Sequence, residues 1–455
     1  MHEITLLPVL GFVLITLMAY ALLPQSKKGY AVLWGSLVGI GLTSLLSLLC
    51  FVALSLLTYG AGLSASKSKR GLSLGIFILL AGLGIYAFNF TDTWVLWHEP
   101  IWGIFHGALV IGWSYFLFNA LSYLFDIERK VIQPETSLPA LMRYLLFFPM
   151  LFAGPLHRKK ALDEQFKQVH VSPQSIRSGL RLMLWGLFKN FVLAKRLFLL
   201  FQSLEASHLS GPFLLLEGLV FLFYIYASFS SFVDFFQGLA KLFSIQMAEN
   251  FHKRVYWSAS RHQFWQGWHI SLNAWFRDYF FYRLMKQTFW RNNTQLALFI
   301  TFLLIALWHD ASISFLVWGI INAMWILLEK RFKVSEYLLQ NKATKTLGVL
   351  YHMSLSSMIT LVFIDSSMSH LLKVLKRSWT WPEFDIAQQG FNAIVIVLCF
   401  AGMDYINRKA GDRRIEEYMQ QLPVWPRRLL YVGLMVVLLV FGEFSSGLNN
   451  YYFKF

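Results

Sequence analysis

Apolar runs of about 18 residues or more recur along the chain, parted by short polar loops. Each is long enough, as a helix, to cross a hydrocarbon layer of roughly 30 Å. They fall at about 4–24, 30–59, 71–90, 101–125, 138–156, 179–204, 212–243, 293–308, 311–329, 346–365, 391–406 and 428–444. The ten-residue alternation of a membrane β-barrel does not occur. The pattern therefore predicts an all-α, polytopic integral membrane protein. It would have about ten to twelve membrane helices, with re-entrant or interfacial helices between them. The run 30–59 is too long for one straight span, so a tilt or a break is expected there. Gly35, Gly39 and Gly41 offer a neighbouring helix a small-residue surface. No linker, low-complexity stretch or internal repeat divides the chain, so residues 1–455 read as one membrane domain.

The informative places are where this pattern breaks. "FWQGWHISLNAWFRDYFFYRL" (Phe264–Leu284) is rich in aromatic and charged residues. As one helix it would stack Phe264, Trp268, Leu272, Trp275, Tyr279 and Tyr282 on a stripe, with Arg277 and Asp278 off it. That composition predicts an interfacial amphipathic helix. Trp265 and Asn273 would flank His269 one turn away on each side. A second break, "FLLIALWHDASISFLVWGIINA", places Trp308, His309 and Asp310 between two apolar runs. "FFPMLFAGPLHR" carries Pro149 and the Gly154–Pro155 pair inside an oily stretch. It is either a re-entrant segment lining a site or a span ending at the interface. Asp234 lies within a predicted span, accompanied by Ser228, Ser230, Ser231 and Gln237. These form either a polar path or interhelical bonds, with a basic residue as the aspartate's plain structural partner.

Composition agrees with the pattern. Of 455 residues, 56% are hydrophobic and only 14% charged, against about 25% charged in soluble proteins. The net charge of +16 sits mainly in short loops such as "PQSKKGY", "SASKSKRG", "HRKKALDEQFKQ" and "NRKAGDRR". This is the distribution of cytoplasmic loops facing anionic head groups, not of a nucleic-acid binder. The basic loop Asn407–Arg428 is placed in the cytoplasm, which puts "GLNNYYFKF" outside. The loops flanking the 30–59 run are both basic and leave the N-terminal orientation open. The first apolar run starts acidic and lacks a small-residue cleavage site, so it reads as a membrane helix rather than a signal peptide. Cys50 and Cys399 sit singly in oily runs and predict no disulfide. "GLSLG" (Gly71–Gly75) has the spacing of a nucleophile elbow, but it opens a hydrophobic helix rather than a strand–turn–helix.

A near-neutral imidazole at membrane depth can take a proton from a hydroxyl. Neither His269 nor His309 pairs with an acidic residue at the i, i+4 spacing of a helical zinc site, so no metal is expected. Broken spans and intramembrane polar residues suit a transporter equally well.

Six stretches in order carry a resemblance. They are "FNALSYLFDIER", "FFPMLFAGPLHR", "GLFKNFVLAKRL", "SSFVDFFQGLAKLFSIQMAENF", "FWQGWHISLNAWFRDYFFYRL" and "LWHDASISFLVWGIINA". Together they resemble the membrane-bound O-acyltransferases, in the bacterial branch of alginate O-acetylases and teichoic-acid D-alanyl transferases. The likeness is densest over about 102–323. It implies His309 as the catalytic residue and His269 as a second important one. Trp308, Asp310, Asn273, Arg277, Asp278, Asp234, Pro149, Gly154 and Pro155 would support the site or a funnel wall. It implies an acyl thioester donor, from acyl-CoA or an acyl carrier protein, and no tightly bound cofactor. It implies a hydroxyl acceptor on an extracytoplasmic polysaccharide, with D-alanylation of a teichoic-acid-like polymer as the alternative. It further implies a multi-pass protein in a bacterial inner or cytoplasmic membrane, in contact with lipid, and an extracytoplasmic partner acyltransferase or acceptor. Two departures bear on the substrate: Asp310 stands where many relatives have glycine, and Gln266–Gly267 stand where two arginines are common. A polar-lipid or polymer flippase and an idle scaffold are the readings from other classes.

Overall fold

The computed structural model describes residues 6–24, 27–65, 69–89, 112–152, 154–168, 172–206, 210–364, 367–378 and 390–444. Among them the chain is helical and contains no strand, as the apolar pattern predicts. The first part of the expected span at 101–125 and all of the "GLNNYYFKF" tail lie outside the described residues.

The chain begins with four helices that pack in order: α1 (Leu6–Leu22), α2 (Lys28–Thr43), α3 (Leu45–Ser64) and α4 (Lys69–Asn89). The expected break in the 30–59 run falls at Ser44, which is extended at φ −164°, ψ 119°. Its Oγ accepts the Ser47 N–H at 3.3 Å and so starts α3. "GLSLG" lies inside α4, where Gly75 packs against Ala61, so it is no nucleophile elbow.

α5 (Trp113–Glu128) is buried on nearly every side. The expected span 138–156 is instead two short helices, α6 (Leu138–Leu145) and α7 (Phe148–Phe152). Pro149 sits in the first turn of α7, where a missing N–H breaks no helix bond. Gly154 is tightly enclosed: a Cβ there would lie 2.4 Å from Met247 Cε and 2.6 Å from the Pro149 carbonyl. The broken backbone is therefore covered by protein, as the re-entrant reading requires.

After α8 (Lys159–Gln168), a long helical stretch runs as α9 (Pro173–Phe188), a π-helical turn (Lys189–Ala194) and α10 (Lys195–Ala206). α9 starts from a Ser172–Ser175 capping box with Pro173 in its first turn. It lies against α11 (Leu214–Leu242), which spans about 43 Å at 1.5 Å per residue. The two backbones nearly touch. A Cβ on Gly179 would sit 2.5 Å from the Gly238 carbonyl, and one on Gly238 would sit 2.6 Å from that of Gly179. Small residues permit this approach where the membrane supplies little hydrophobic drive.

The predicted single helix over 264–284 is not observed. It is divided into α12 (Arg261–Gly267), α13 (Ile270–Trp275), a π turn (Phe276–Phe281) and α14 (Tyr282–Leu284). Of the expected stripe, Phe264, Leu272, Trp275 and Tyr279 are buried, Trp268 is half-buried and Tyr282 is 53% exposed. There follow α15 (Thr288–Asn292), α16 (Thr294–His309), α17 (Ile313–Arg331), α18 (Val334–Leu338) and α19 (Lys342–Phe363). The chain continues with α20 (Met368–Arg377), α21 (Gly390–Ala410), α22 (Ile415–Gln421) and α23 (Val424–Phe441). Among the described residues, α3, α11, α17, α19 and α23 are each long and apolar enough to cross a membrane. The Leu138–Phe152 segment and α16 are apolar but shorter.

The basic loops gather on one face. Gln165 exchanges two hydrogen bonds with the Gln246 backbone (3.0 and 2.7 Å), and Gln174 and Arg181 both donate to Gln420 at 3.1 Å. Arg414 donates to the Met247 carbonyl at 2.8 Å and Lys253 to that of Gly411 at 3.2 Å. The loops after α7, after α11 and between α21 and α23 thus form one charged surface.

Candidate active site

α12 begins where Ser260 caps it by accepting the Gln263 N–H at 3.2 Å. It ends at the "WH" pair. His269 there adopts a left-handed backbone, φ 46°, ψ 52°, a conformation that costs an ordinary L-residue about 1–2 kcal/mol. Neighbours hold the break. Asn250 accepts the Ile270 N–H through its carbonyl (2.9 Å) and the Ser271 N–H through its side chain (3.0 Å). Asn273 donates back across the break to the Trp265 and Trp268 carbonyls, at 2.9 and 2.6 Å. Asn273 therefore closes the end of α12 rather than touching the His269 ring. That ring packs between Phe229 (4.8 Å between centroids) and Trp308 (6.1 Å), and is 3% exposed.

His309 is the last residue of α16, and Asp310 is extended. The chain turns through Ala311 to Ser312, which caps α17 by accepting the Phe315 N–H. The second break is thus two helices meeting end to end at His309. Its ring stacks among Trp308 (4.5 Å), Trp318 (5.5 Å) and Phe363 (5.3 Å).

The two histidines, forty residues apart in sequence, line one buried cavity of about 70 Å³. Its walls are otherwise largely aromatic: Phe229, Phe264, Trp265, Trp268, Trp318 and Phe363. Both His269 ring nitrogens and the Nδ1 of His309 are buried without a hydrogen-bond partner among the described residues. The Trp308 indole N–H, beside them, also has none. Buried polar atoms are ordinarily satisfied, so this concentration of free acceptors and donors marks a place where something else binds. A hydroxyl hydrogen-bonded to such an imidazole is set up for proton abstraction. Among the described residues no cluster of three His, Cys, Asp or Glu side chains forms a metal-binding group.

The other expected residues lie elsewhere. Asp278 faces a separate, wider cleft of about 580 Å³, lined by Asp126, Arg129, Arg158, Lys160, Tyr279 and Lys286 among others. There Arg158 pairs with Asp278 at 3.0 Å and lies 4.1 Å over the Tyr279 ring. Arg277, whose side chain is 56% exposed, pairs with Asp278 at the rim. A thin wall parts this cleft from the histidines: Ser122 accepts from Arg158 (3.2 Å) and Trp275 (2.8 Å), and Phe118 stacks 5.7 Å from Trp308. Asp234 pairs with Lys189 at 2.6 Å, and Lys189 also donates to Ser230 at 2.9 Å. The plain structural partner expected for the aspartate is therefore observed, at the mouth of the π turn. Pro149, Gly154 and Pro155 do not line the histidine cavity. The cavity is also lined by Ser228, singled out above only beside Asp234, and by Arg261 and Thr360, which sequence reasoning did not select. The Ser260–Gln263 cap spacing was the available signal that a helix starts at Arg261.

The family model described as MBOAT, membrane-bound O-acyltransferase family, matches residues 33–335, more than half of the chain. The chain belongs to this family. Both histidines and every other residue expected at the site fall within the matched region. Among curated proteins, this MBOAT chain is 32% identical over 285 residues to a probable alginate O-acetylase of Pseudomonas putida, covering 59% of the chain and 57% of that protein. It is 25% identical over 343 residues to a peptidoglycan O-acetyltransferase of Helicobacter pylori (67% and 64%). It is 23% identical over 258 residues to a teichoic acid D-alanyltransferase of Bacillus subtilis (53% and 65%). The alignments thus span 57–65% of the length of these relatives. The three MBOAT relatives differ in the polymer and the acyl group their names give.

Proposed function

We propose that this chain is a membrane O-acyltransferase that moves a short acyl group, acetyl in the first reading, from a thioester to a hydroxyl of a cell-envelope polysaccharide. The observation that carries the reading is the meeting of His269 and His309, with unpartnered ring nitrogens, in one largely aromatic cavity. His309 is the general base. It takes the hydroxyl proton as the oxygen attacks the thioester carbonyl. The C–S bond then breaks, and the proton passes to the departing thiolate, leaving an ester and a free thiol. His269 orients one of the two substrates. Such base assistance is worth about 10²–10⁴-fold, and alignment in a buried cavity adds to it.

The cavity of about 70 Å³ exceeds the roughly 10–15 Å³ needed for one water, which is room for a small polar or acyl group beside the histidines. The donor is an acyl-CoA or an acyl carrier protein, and it approaches from the basic face, which the excess of Lys and Arg assigns to the cytoplasm of a bacterial cell. The acceptor, or an extracytoplasmic partner that relays the acyl group, meets it from the other side. D-alanyl transfer is the second reading, favoured by the likeness to the teichoic acid D-alanyltransferases. The test is thioester turnover by the purified chain in detergent, given acetyl-CoA and a soluble oligosaccharide. Acceptor-dependent thiol release supports the enzyme. Export of a labelled polar lipid or polymer from reconstituted vesicles without any thiol release would instead establish a transporter.

A further inference from the structure

The histidine cavity contains a cation that the proposed reaction does not yet use. Arg261, 3% exposed, lies on its wall together with His269 and His309. It is the first residue of α12, and its guanidinium reaches the middle of the protein between α17 and α19. A buried charge inside a membrane protein is expensive and ordinarily marks a substrate path or a tight pairing. The pairing here is with neutral groups. Nε and Nη2 both donate to Asn322 Oδ1 (2.9 and 2.6 Å), and Nη1 donates to Ser356 Oγ (2.9 Å). The nearby carboxylate, Glu329, is turned instead to the backbone N–H groups of Arg261 and His262, at 2.9 and 3.1 Å. A guanidinium has five N–H donors and no acceptor. Three are engaged among the described residues, which leaves one on each terminal nitrogen.

Where those donors can act is set by the aromatic layer. Arg261 lies 5.6 Å from the Trp265 ring, Trp265 lies 5.8 Å from Trp318, and Trp318 lies 5.5 Å from His309. Trp265 and Trp318 thus line the wall between Arg261 and the base. A single ligand that reaches both would offer Arg261 an oxygen several bonds from the reacting carbon. A thioester whose thiol arm carries an amide presents such an oxygen, and a guanidinium can only donate to it.

We propose that Arg261 is the donor anchor of the cavity, its spare N–H groups holding an amide carbonyl on the thiol arm of the acyl thioester while the acyl carbon lies at His309. This rests on the acyltransferase reading above. The assignment gives Asn322 a purpose as well. Its carboxamide oxygen also accepts from Trp265 Nε1 (3.1 Å), and its nitrogen donates to the Trp318 carbonyl (2.7 Å). One asparagine thus fixes the arginine and the Trp265 ring of the layer.

The test compares two small acetyl donors, S-acetyl-N-acetylcysteamine, which has the amide, and S-ethyl thioacetate, which lacks it. Thiol release is measured with the purified full chain and an oligosaccharide acceptor, for wild type, Arg261→Lys, Arg261→Gln and His309→Ala. The wild type should prefer the amide-bearing donor by about tenfold or more in kcat/KM, the scale of a charge-assisted hydrogen bond. Arg261→Gln should lose most of that preference through KM, with turnover of S-ethyl thioacetate little changed. Arg261→Lys should keep part of it. Equal loss on both donors, or an undiminished preference in Arg261→Gln, would overturn the anchor and leave Arg261 a structural residue. If no variant releases thiol above the His309→Ala background, the acyltransferase reading fails, and the anchor with it.

Discussion

His269 couples backbone and ring in a way a substitution can separate. Its left-handed conformation is costly for most side chains but free for glycine. Both His269→Gly and His269→Ala lose the packing of the buried ring, but only alanine keeps the strain, so His269→Gly should be the more stable of the two by about 1 kcal/mol in thermal unfolding in detergent. Both should lose acyl transfer, because both lack the ring. Retained activity in His269→Gly would show that the ring is dispensable. The Lys189–Asp234 pair makes a second residue-scale case. Removing one partner leaves a buried charge, so Lys189→Met or Asp234→Leu alone should cost about 3–5 kcal/mol, and the double variant should recover much of it. A double variant as unstable as the worse single one would contradict this account of the pair.

The helices show what apolar periodicity reveals and where it stops. Apolar runs placed α1, α11, α16, α17 and α19 within a few residues, because each buries a face or lies in lipid over many turns. That the 30–59 run tilts or breaks was legible from its length, but not that it breaks at Ser44. The same reasoning made one helix of Phe264–Leu284, and the structure makes four elements of it. The stripe of aromatics was real, but nothing in its spacing signals a left-handed residue at His269 or a π turn at Phe276. Those are fixed by partners distant in sequence, chiefly Asn250 across the break. Likewise, Arg277 and Asp278 were grouped with His269 by proximity in sequence, yet the π turn directs Asp278 to the outer cleft, with Arg277 paired to it at the rim. Asn273→Ala should free the carbonyls at the end of α12, cost about 1–2 kcal/mol, and reduce transfer with little change in expression. Gly238→Leu should be worse for the fold, since its side chain would strike the Gly179 carbonyl. Unchanged expression and thermal stability of that variant would show that α9 and α11 do not pack as described.

At the scale of the molecule, the basic loops converge on one face while the two histidine breaks meet inside. Neither convergence is visible in any single stretch, but the six motifs in order pointed to both the fold and the pair. The distance between two histidines forty residues apart depends on how α12, α13, α16 and α17 pack, which only the folded chain supplies. The charged face should be cytoplasmic. A cysteine at Arg413, in a chain lacking Cys50 and Cys399, should react with an impermeant maleimide in inverted vesicles and not in intact cells. The reverse pattern would place the donor on the other side. The acceptor and the partner depend on surfaces beyond the cavity, and the relatives act on different polymers.

The most direct test of the central claim uses cells that make wild type or His309→Ala at matched levels in the membrane, and measures ester-linked acyl groups on the cell-surface polymer. The account predicts that His309→Ala lowers acylation by about 10²–10⁴-fold, to the level of cells without the protein. Full acylation by His309→Ala would contradict it.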